Sequence, residues 1–218
     1  MYSSPGVMSL CRPVGRASAV SHDGDVSEDL RLAQSIARGD TDAFDVFYRR
    51  YVDRLYRMIY YQLGAQQADA EDVLQETMVA AVRALPDFRG QSLLFTWLCG
   101  IAQHKIADHR RRRGPAGEKV TVPLQDDDPP SSMATEGYVQ NLETRLAVRQ
   151  ALDTLPSGHR QVLLLKYVQG LSVDEIAVAT GRSFKSVESL LSRARESLRL
   201  ALDNDMPRVT GAGSTAPR

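Results

Sequence analysis

Apolar residues recur at spacings of three and four along two long parts of the chain, a pattern that predicts amphipathic α-helices. The first part predicts four helices, over about 28–38, 41–63, 67–85 and 93–112. Its clearest apolar face comprises Phe44, Phe47, Tyr51, Leu55, Met58 and Ile59. Ser27 and Ser92 precede the first and fourth helices, and we expect their hydroxyls to cap free backbone amides there.

The second part predicts four shorter helices, over about 139–154, 156–168, 172–179 and 184–202, with Pro156 opening the second of them. Ser172 and Glu175 have the spacing of a capping box. A tight turn around Gly181 separates the last two helices, which together predict a helix-turn-helix. Its expected inner packing comprises Ile176, Ala177, Val187, Leu190 and Leu191. A helical hairpin with a solvated charged face is the alternative interpretation.

Three segments lack helical periodicity, and they divide the chain. Residues 113–137 contain four prolines with interspersed glycines and acidic groups, which is typical of a linker. The sequence therefore predicts an all-α protein with two small helical domains, over 28–112 and 138–204, joined by a flexible linker. Residues 1–27 and 205–218 are expected to form a disordered N-terminal extension and a disordered tail.

Composition and charge narrow the class of protein. No apolar run is long enough to span a membrane, no secretory signal is expected, and Cys11 and Cys99 are too few for a disulfide framework. We therefore expect a cytoplasmic protein in which Cys99 is buried and inert. The net charge is zero, yet the charges are unevenly distributed. Residues 88–113 carry six basic side chains and one acidic one, whereas residues 28–87 carry seven basic and eleven acidic side chains. Such blocks favour different partners.

Several motifs, in their order, resemble the extracytoplasmic-function (ECF) RNA polymerase sigma factors of the sigma-70 family. DAEDVLQET at 69–77, FRGQS at 88–92 and TWL at 96–98 resemble sigma region two. LSVDEIA at 171–177 and SRAR at 192–195 resemble region four. The resemblance implies a transcription initiation factor that carries RNA polymerase core to promoters and helps to melt them, with no catalytic residues, no metal and no cofactor. An anti-sigma partner is also implied, although no motif identifies one.

The resemblance implies that an acidic segment docks on the coiled coil of the polymerase clamp. Its residues are Asp69, Glu71, Asp72, Gln75 and Glu76. Carboxylates near a helix start also suit the helix dipole, so solvated helix-start charges are the simpler interpretation. The region-four module would contact the polymerase flap. The linker, with its acidic residues at 126–128, is expected to pass near the active-site channel and to mimic nucleic-acid charge.

The resemblance also implies a surface that binds melted minus-ten DNA, where aromatic and basic side chains together suit single strands. Its residues are Phe88, Arg89, Gly90, Gln91, Ser92, Trp97, His104, Lys105, Asp108, Arg110, Arg111 and Arg112. Trp97 equally fits a core position, and the arginine run equally fits a solvated helix end. His104 stands where this family usually has asparagine, so a different base preference is expected.

The minus-thirty-five element would be read by the outward face of the last helix. This face comprises Arg182, Ser183, Lys185, Ser186, Glu188, Ser189, Ser192, Arg193 and Arg195. Glu188 departs from the basic residues of many relatives and would accept a hydrogen bond from cytosine or repel phosphate.

Two other classes of function compete with this one. His104 and Asp108 share a helix face, with His109 adjacent, but two ligands do not make a metal site, and no nucleotide-binding motif is present. A conventional helix-turn-helix regulator acting without sigma activity is the second alternative. Tight operator binding without polymerase would favour the regulator, whereas binding that polymerase makes specific would favour the sigma factor.

Overall fold

The computed structural model describes residues 23–114 and 147–205, and their regular structure is helical. The first module contains α1 (Asp23–Ala37), α2 (Thr41–Gln62), α3 (Gln67–Ala84), a 3₁₀ turn (Leu85–Asp87) and α4 (Leu94–Arg113). The second contains α5, described over 147–154, then α6 (Ser157–Leu163), which continues as a π-helical turn (Leu164–Val168), α7 (Val173–Thr180) and α8 (Phe184–Asp205). The prediction of an all-α protein with two helical modules is confirmed.

The core of the first module is the apolar face of α2 packed against α3 and α4. Phe47, Leu55, Met58 and Ile59 are fully buried there. Pro86 occupies the 3₁₀ turn, which ends α3 because a proline nitrogen has no hydrogen to continue the helix. Among the described residues, no helix is both long and apolar enough to cross a membrane.

Two predicted helix starts are wrong. Helix α1 begins at Asp23, so Ser27 lies inside the helix instead of capping it, and residues 23–27 of the predicted disordered extension are helical. The N-cap of α4 is Leu93, not Ser92, whose hydroxyl donates to the Leu93 carbonyl oxygen. The first amide of α4, that of Leu94, instead donates to a carboxylate oxygen of Asp29 on α1.

The second module follows the predicted helix-turn-helix closely. The Ser172 hydroxyl accepts from the Glu175 amide, while the Glu175 carboxylate accepts from the Ser172 amide, which completes the capping box. Gly181 ends α7 with a left-handed φ of 65°, a conformation that glycine adopts without steric cost. Ile176, Ala177, Val187 and Leu191 are buried between α7 and α8, as expected. Pro156 is the N-cap of α6 and precedes its first turn.

The two modules pack against each other and share one continuous apolar core, an arrangement that the sequence did not predict. Helix α7 lies along α4, and the end of α6 contacts α2. The Arg54 guanidinium of α2 stacks 3.6 Å from the Phe95 ring centroid and donates to the Gln169 carbonyl oxygen of the second module. The remainder of the predicted linker, residues 115–137, lies outside the described residues, as do most of the predicted N-terminal extension and C-terminal tail.

Candidate polymerase and nucleic-acid interfaces

The acidic segment of α3 presents two kinds of carboxylate. Glu71, Asp72 and Gln75 are exposed, and Glu76 is half-buried. Asp69 is only 7% exposed, so most of its carboxylate is unavailable to a partner. The five predicted polymerase contacts therefore do not form one uniform surface.

The buried and half-buried carboxylates of α3 bind the basic end of α4. Arg113 Nη1 lies 2.5 Å from Asp69 Oδ2, and Arg112 Nη2 lies 2.9 Å from Glu76 Oε1. Lys105 is 3.9 Å from the other oxygen of Glu76. The predicted polymerase-binding and minus-ten residues thus meet in one charge cluster, because the last turns of α4 run beside the first turns of α3.

This cluster changes the expected roles of several basic residues. Arg110 donates to the Gln62 carbonyl oxygen, and Arg111 pairs with Asp108 on its own helix. The arginine run thus makes contacts within the first module, while Arg111, Arg112 and Arg113 stay exposed. An open cleft between α3 and α4 is lined by Asp72, Gln75, Glu76, His109, Arg112 and Arg113.

The loop before α4 is held in place by aromatic packing and by α1. Phe88 is only 7% exposed and packs on Trp97, with ring centroids 5.3 Å apart, so Phe88 is a core residue. Gly90 has a φ of 65°, and a β-carbon there would lie 3.2 Å from Val26 of α1. Arg89 and Gln91 on either side of it are exposed. Packing of Phe88 and Gly90 therefore holds the loop in place, while Arg89 and Gln91 project into solvent.

Helix α4 has an outer face on which the remaining minus-ten candidates fall. Trp97, Ile101, His104 and Asp108 repeat every three or four residues and so lie along one side of the helix. His104 is exposed, and the other three are half-buried. A half-buried Trp97 reconciles the two sequence interpretations, because one side of the indole packs on Phe88 while the rest reaches solvent.

Asp29 is an important positioning residue that the sequence analysis missed. Its side chain is 6% exposed and accepts from both the Tyr51 hydroxyl, at 3.0 Å, and the Leu94 amide, at 2.7 Å. Burial and the neighbouring Asp29 charge raise the pKa of Tyr51 well above its ordinary value, so the hydroxyl remains a donor. This carboxylate therefore fixes the start of α4 and the loop leading to it. An acidic residue amid exposed acidic residues gives no sequence signal of this role.

The residues predicted to contact the minus-thirty-five element lie at the surface of α8 and of the turn before it. Eight of the nine expected residues are exposed, and Ser186 is half-buried because it borders the helix interface. Arg182, Lys185 and Arg193 give this face positive charge, and Glu188 lies among them. Such a surface offers donors for phosphates and base edges in a major groove.

The described residues give no further support to metal or thiol chemistry. No group of three or more potential ligands lies close together within residues 23–114 and 147–205. His109 Nε2 lies 3.6 Å from Asp69, whereas His104 points to solvent. Burial raises the pKa of the Cys99 thiol to about 12, which keeps it protonated. Cys11 lies outside the described residues.

Comparisons with known families match both modules. Residues 47–115 match Sigma-70 region 2, and residues 145–198 match Sigma-70, region 4. The chain is 30% identical over 184 residues to the ECF RNA polymerase sigma factor BldN of Streptomyces coelicolor, covering 84% of this chain and 69% of that protein. It is 32% identical over 187 residues to the RNA polymerase sigma-H factor of Pseudomonas aeruginosa, covering 80% and 94%.

A solved structure, that of CnrH in complex with the cytosolic domain of CnrY, is similar across both modules. The TM-score is 0.61 at 30% identity, with 82% of this chain and 99% of that chain covered. Two sigma-70 regions in this order define a transcription initiation factor of the sigma-70 type. More specifically, the chain belongs to the extracytoplasmic-function RNA polymerase sigma factors. It is a sigma factor that directs RNA polymerase to promoters.

Proposed function

We propose that the first module contacts the polymerase clamp through the exposed part of α3 and captures the melted minus-ten strand on α4. In the same proposal, α8 reads the minus-thirty-five duplex. The observation that carries this division is that exposed polar side chains lie on α3, on the outer face of α4 and on α8, around one shared apolar core. The protein catalyses no reaction of its own and acts in the cytoplasm.

The polymerase contact is assigned to Glu71, Asp72 and Gln75. These side chains are exposed on consecutive turns of α3, where a basic partner surface could reach them. Asp69 instead holds Arg113 within the module, and Glu76 is shared between the two roles because its partners Arg112 and Lys105 are only partly covered. The clamp would therefore contact an acidic surface on which the charge of Glu76, at one edge, is already paired with Arg112 and Lys105.

The minus-ten contact is assigned to the exposed residues of the loop and of the outer face of α4. Arg89 and Gln91 supply polar groups, and Trp97 supplies the stacking surface. His104 lies two helical turns beyond Trp97 on the same face of α4. Stacking on an aromatic ring contributes about 1–3 kcal/mol per base, which offsets the cost of extruding a base.

An anti-sigma protein is a proposed partner. The similar structure CnrH is described in complex with the cytosolic domain of CnrY. Its similarity spans both modules of this chain, which supports a protein partner for this fold.

Transcription with purified components tests the proposed function. Core polymerase plus this protein should give transcripts from a subset of genomic fragments, and core alone should not. The protein alone should bind the same fragments only weakly. Tight, sequence-specific binding without polymerase, together with no initiation from any template, would instead indicate a conventional regulator.

Replacing His104 by Asn tests the minus-ten assignment. Asparagine offers a donor and an acceptor in a different geometry from imidazole, so the preferred bases of the minus-ten element should change. Each favourable base contact is worth about 1–3 kcal/mol, which corresponds to a change of roughly 5- to 150-fold in relative promoter strength. Start-site sequencing measures this change. Because His104 is exposed, binding to core and thermal stability should match those of the wild type; an unchanged promoter preference would contradict the assignment.

A further inference from the structure

The loop before α4 packs directly on α1 at Gly90. A β-carbon on Gly90 would lie 3.2 Å from Cγ1 of Val26 and 3.8 Å from Cδ2 of Leu30. The backbone of Gly90 has a φ of 65°, a left-handed conformation that other residues adopt only at a steric cost. The close contact and the backbone conformation both favour glycine here, so the loop rests on Val26 and Leu30 with no side chain between them.

Both ends of the same loop are fixed by hydrogen bonds. At its start, the Phe88 amide donates to the Leu85 carbonyl oxygen at 3.0 Å. At its end, the Leu94 amide donates to the Asp29 carboxylate of α1 at 2.7 Å. Helix α1 thus contacts the middle of the loop through apolar side chains and its end through a buried carboxylate.

Helix α1 is itself anchored in the first module. Ile36 is buried in the core of that module. Asp29 also accepts from the Tyr51 hydroxyl on α2 at 3.0 Å, and Glu28 pairs with Arg50 on α2. Because α1 is bound to α2 as well as to the loop, a movement of the loop has to break contacts with an anchored helix.

The start of α1 is a poor surface for DNA itself. Residues 23–29 include four acidic residues and no basic one, a charge that repels phosphates. The polar and aromatic groups that suit a melted strand, Arg89, Gln91 and Trp97, lie on the loop and on α4 instead. Any effect of this part of α1 on DNA therefore acts through the position of the loop.

We propose that Val26, Asp29 and Leu30 of α1 are positioning residues for the minus-ten loop, which hold it in the shape that a melted strand requires before DNA binds. A preformed loop loses less conformational freedom on binding, so strand affinity and base discrimination should both depend on these residues. That the ligand is the melted minus-ten strand rests on the proposed function. That α1 holds the loop is a property of the free chain, and it is measurable without polymerase or DNA.

The fluorescence of Trp97 tests the free chain. Trp97 is the only tryptophan of the protein, and its ring centroid lies 5.3 Å from that of Phe88 at the start of the loop. Leu30→Ala removes part of the support under Gly90. Acrylamide should therefore quench Trp97 more strongly in this variant, and the emission should shift to longer wavelength. Leu30→Met should match the parent chain because it conserves the volume of the side chain.

Leu32→Ala is the matched control for Leu30→Ala. Both leucines lie on α1, are half-buried and pack against the same core. The three atoms nearest to a β-carbon on Gly90 belong to Val26 and Leu30, and none belongs to Leu32. Leu32→Ala should therefore lower the thermal stability about as much as Leu30→Ala does, while the fluorescence of Trp97 stays unchanged. If Leu30→Ala does not fold, Val26→Ala removes the carbon nearest to Gly90 with a smaller loss of volume, and the same comparison applies.

Strand binding by the holoenzyme tests the consequence for DNA. The probe is a fluorescent single-stranded oligonucleotide that carries the nontemplate minus-ten sequence of a promoter identified by start-site sequencing. Leu30→Ala should weaken this binding by roughly fivefold or more, the equivalent of one stacked base. It should also reduce discrimination against an oligonucleotide with scrambled minus-ten bases. Leu32→Ala and Leu30→Met should bind both oligonucleotides as the parent does, and all variants should bind core equally.

Equal quenching of Trp97 in the Leu30→Ala, Val26→Ala and Leu32→Ala variants would overturn the proposal for the free chain. Equal strand affinity and base discrimination of Leu30→Ala and Leu32→Ala would overturn it for DNA, even with a loosened loop. If the parent holoenzyme binds no strand and initiates on no template, the proposed function fails. The fluorescence of the free chain then still decides whether α1 holds the loop.

Discussion

Replacing Asp72 by Lys is expected to lower the affinity for core RNA polymerase by at least about 30-fold, which corresponds to 2 kcal/mol or more. Asp72 is exposed on α3, and none of the ion pairs among the described residues involves it. Its charge is therefore available to a partner, and reversal would place a lysine against basic groups of the clamp. Co-purification with core and a competition binding assay measure the loss.

The matched control is Asp45→Lys on α2, which reverses an equally exposed carboxylate outside the acidic segment of α3. It should bind core as the wild type does, and both variants should unfold at the wild-type temperature. Glu76→Lys is a poorer probe because it would also break the pairs with Arg112 and Lys105. Equal core binding by Asp72→Lys and the wild type would rule out the α3 assignment.

The helical core could be predicted because it depends on local periodicity. The apolar residues of α2 and the capping box of α7 are set by spacings of three and four within one helix, and each lies as predicted. The start of α4 could not be predicted in the same way. The first amide of α4 donates to Asp29, which is distant in the sequence. Ser92 is a residue type that often caps helices, but its hydroxyl donates to the Leu93 carbonyl oxygen instead.

The exposure of candidate site residues was predictable where they lie on a single helix. The recognition face of α8 follows directly from its helical spacing and is exposed as expected. Asp69 and the arginine run were separate motifs in the sequence, and only the packing of α4 beside α3 brings Arg113 to Asp69. Local charge blocks thus neutralise each other inside the module, which a net charge calculated block by block does not reveal.

The packing between modules is the least predictable feature. Gly100 of α4 lies against the backbone of Ala179 on α7, and the Gln161 amide donates to the Gln103 side-chain oxygen, yet no sequence spacing connects these residues. Their roles depend on a tertiary contact made across residues 115–146, which lie outside the described part of the chain. A flexible connection between two modules permits such docking, so the predicted linker and the observed contact are compatible.

Replacing Asp29 by Ala is expected to destabilise the first module by about 2–6 kcal/mol. Both the Tyr51 hydroxyl and the Leu94 amide would lose their buried acceptor, and each unsatisfied buried donor costs about 1–3 kcal/mol. Denaturant unfolding monitored by circular dichroism measures the change. Because Asp29 sets the start of α4, promoter melting should also weaken at temperatures at which the variant is still folded.

The neighbouring carboxylate supplies the control for this prediction. Glu28 pairs with Arg50 at the surface, with 62% of its side chain exposed, so Glu28→Ala should cost no more than about 1 kcal/mol. Tyr51→Phe should fall between the two, because Asp29 then still accepts from the Leu94 amide. Equal stability of the Asp29→Ala and Glu28→Ala variants would show that water replaces the carboxylate at the start of α4. In that case the loop before α4 would owe its position to the contacts of Phe88 and Gly90 alone.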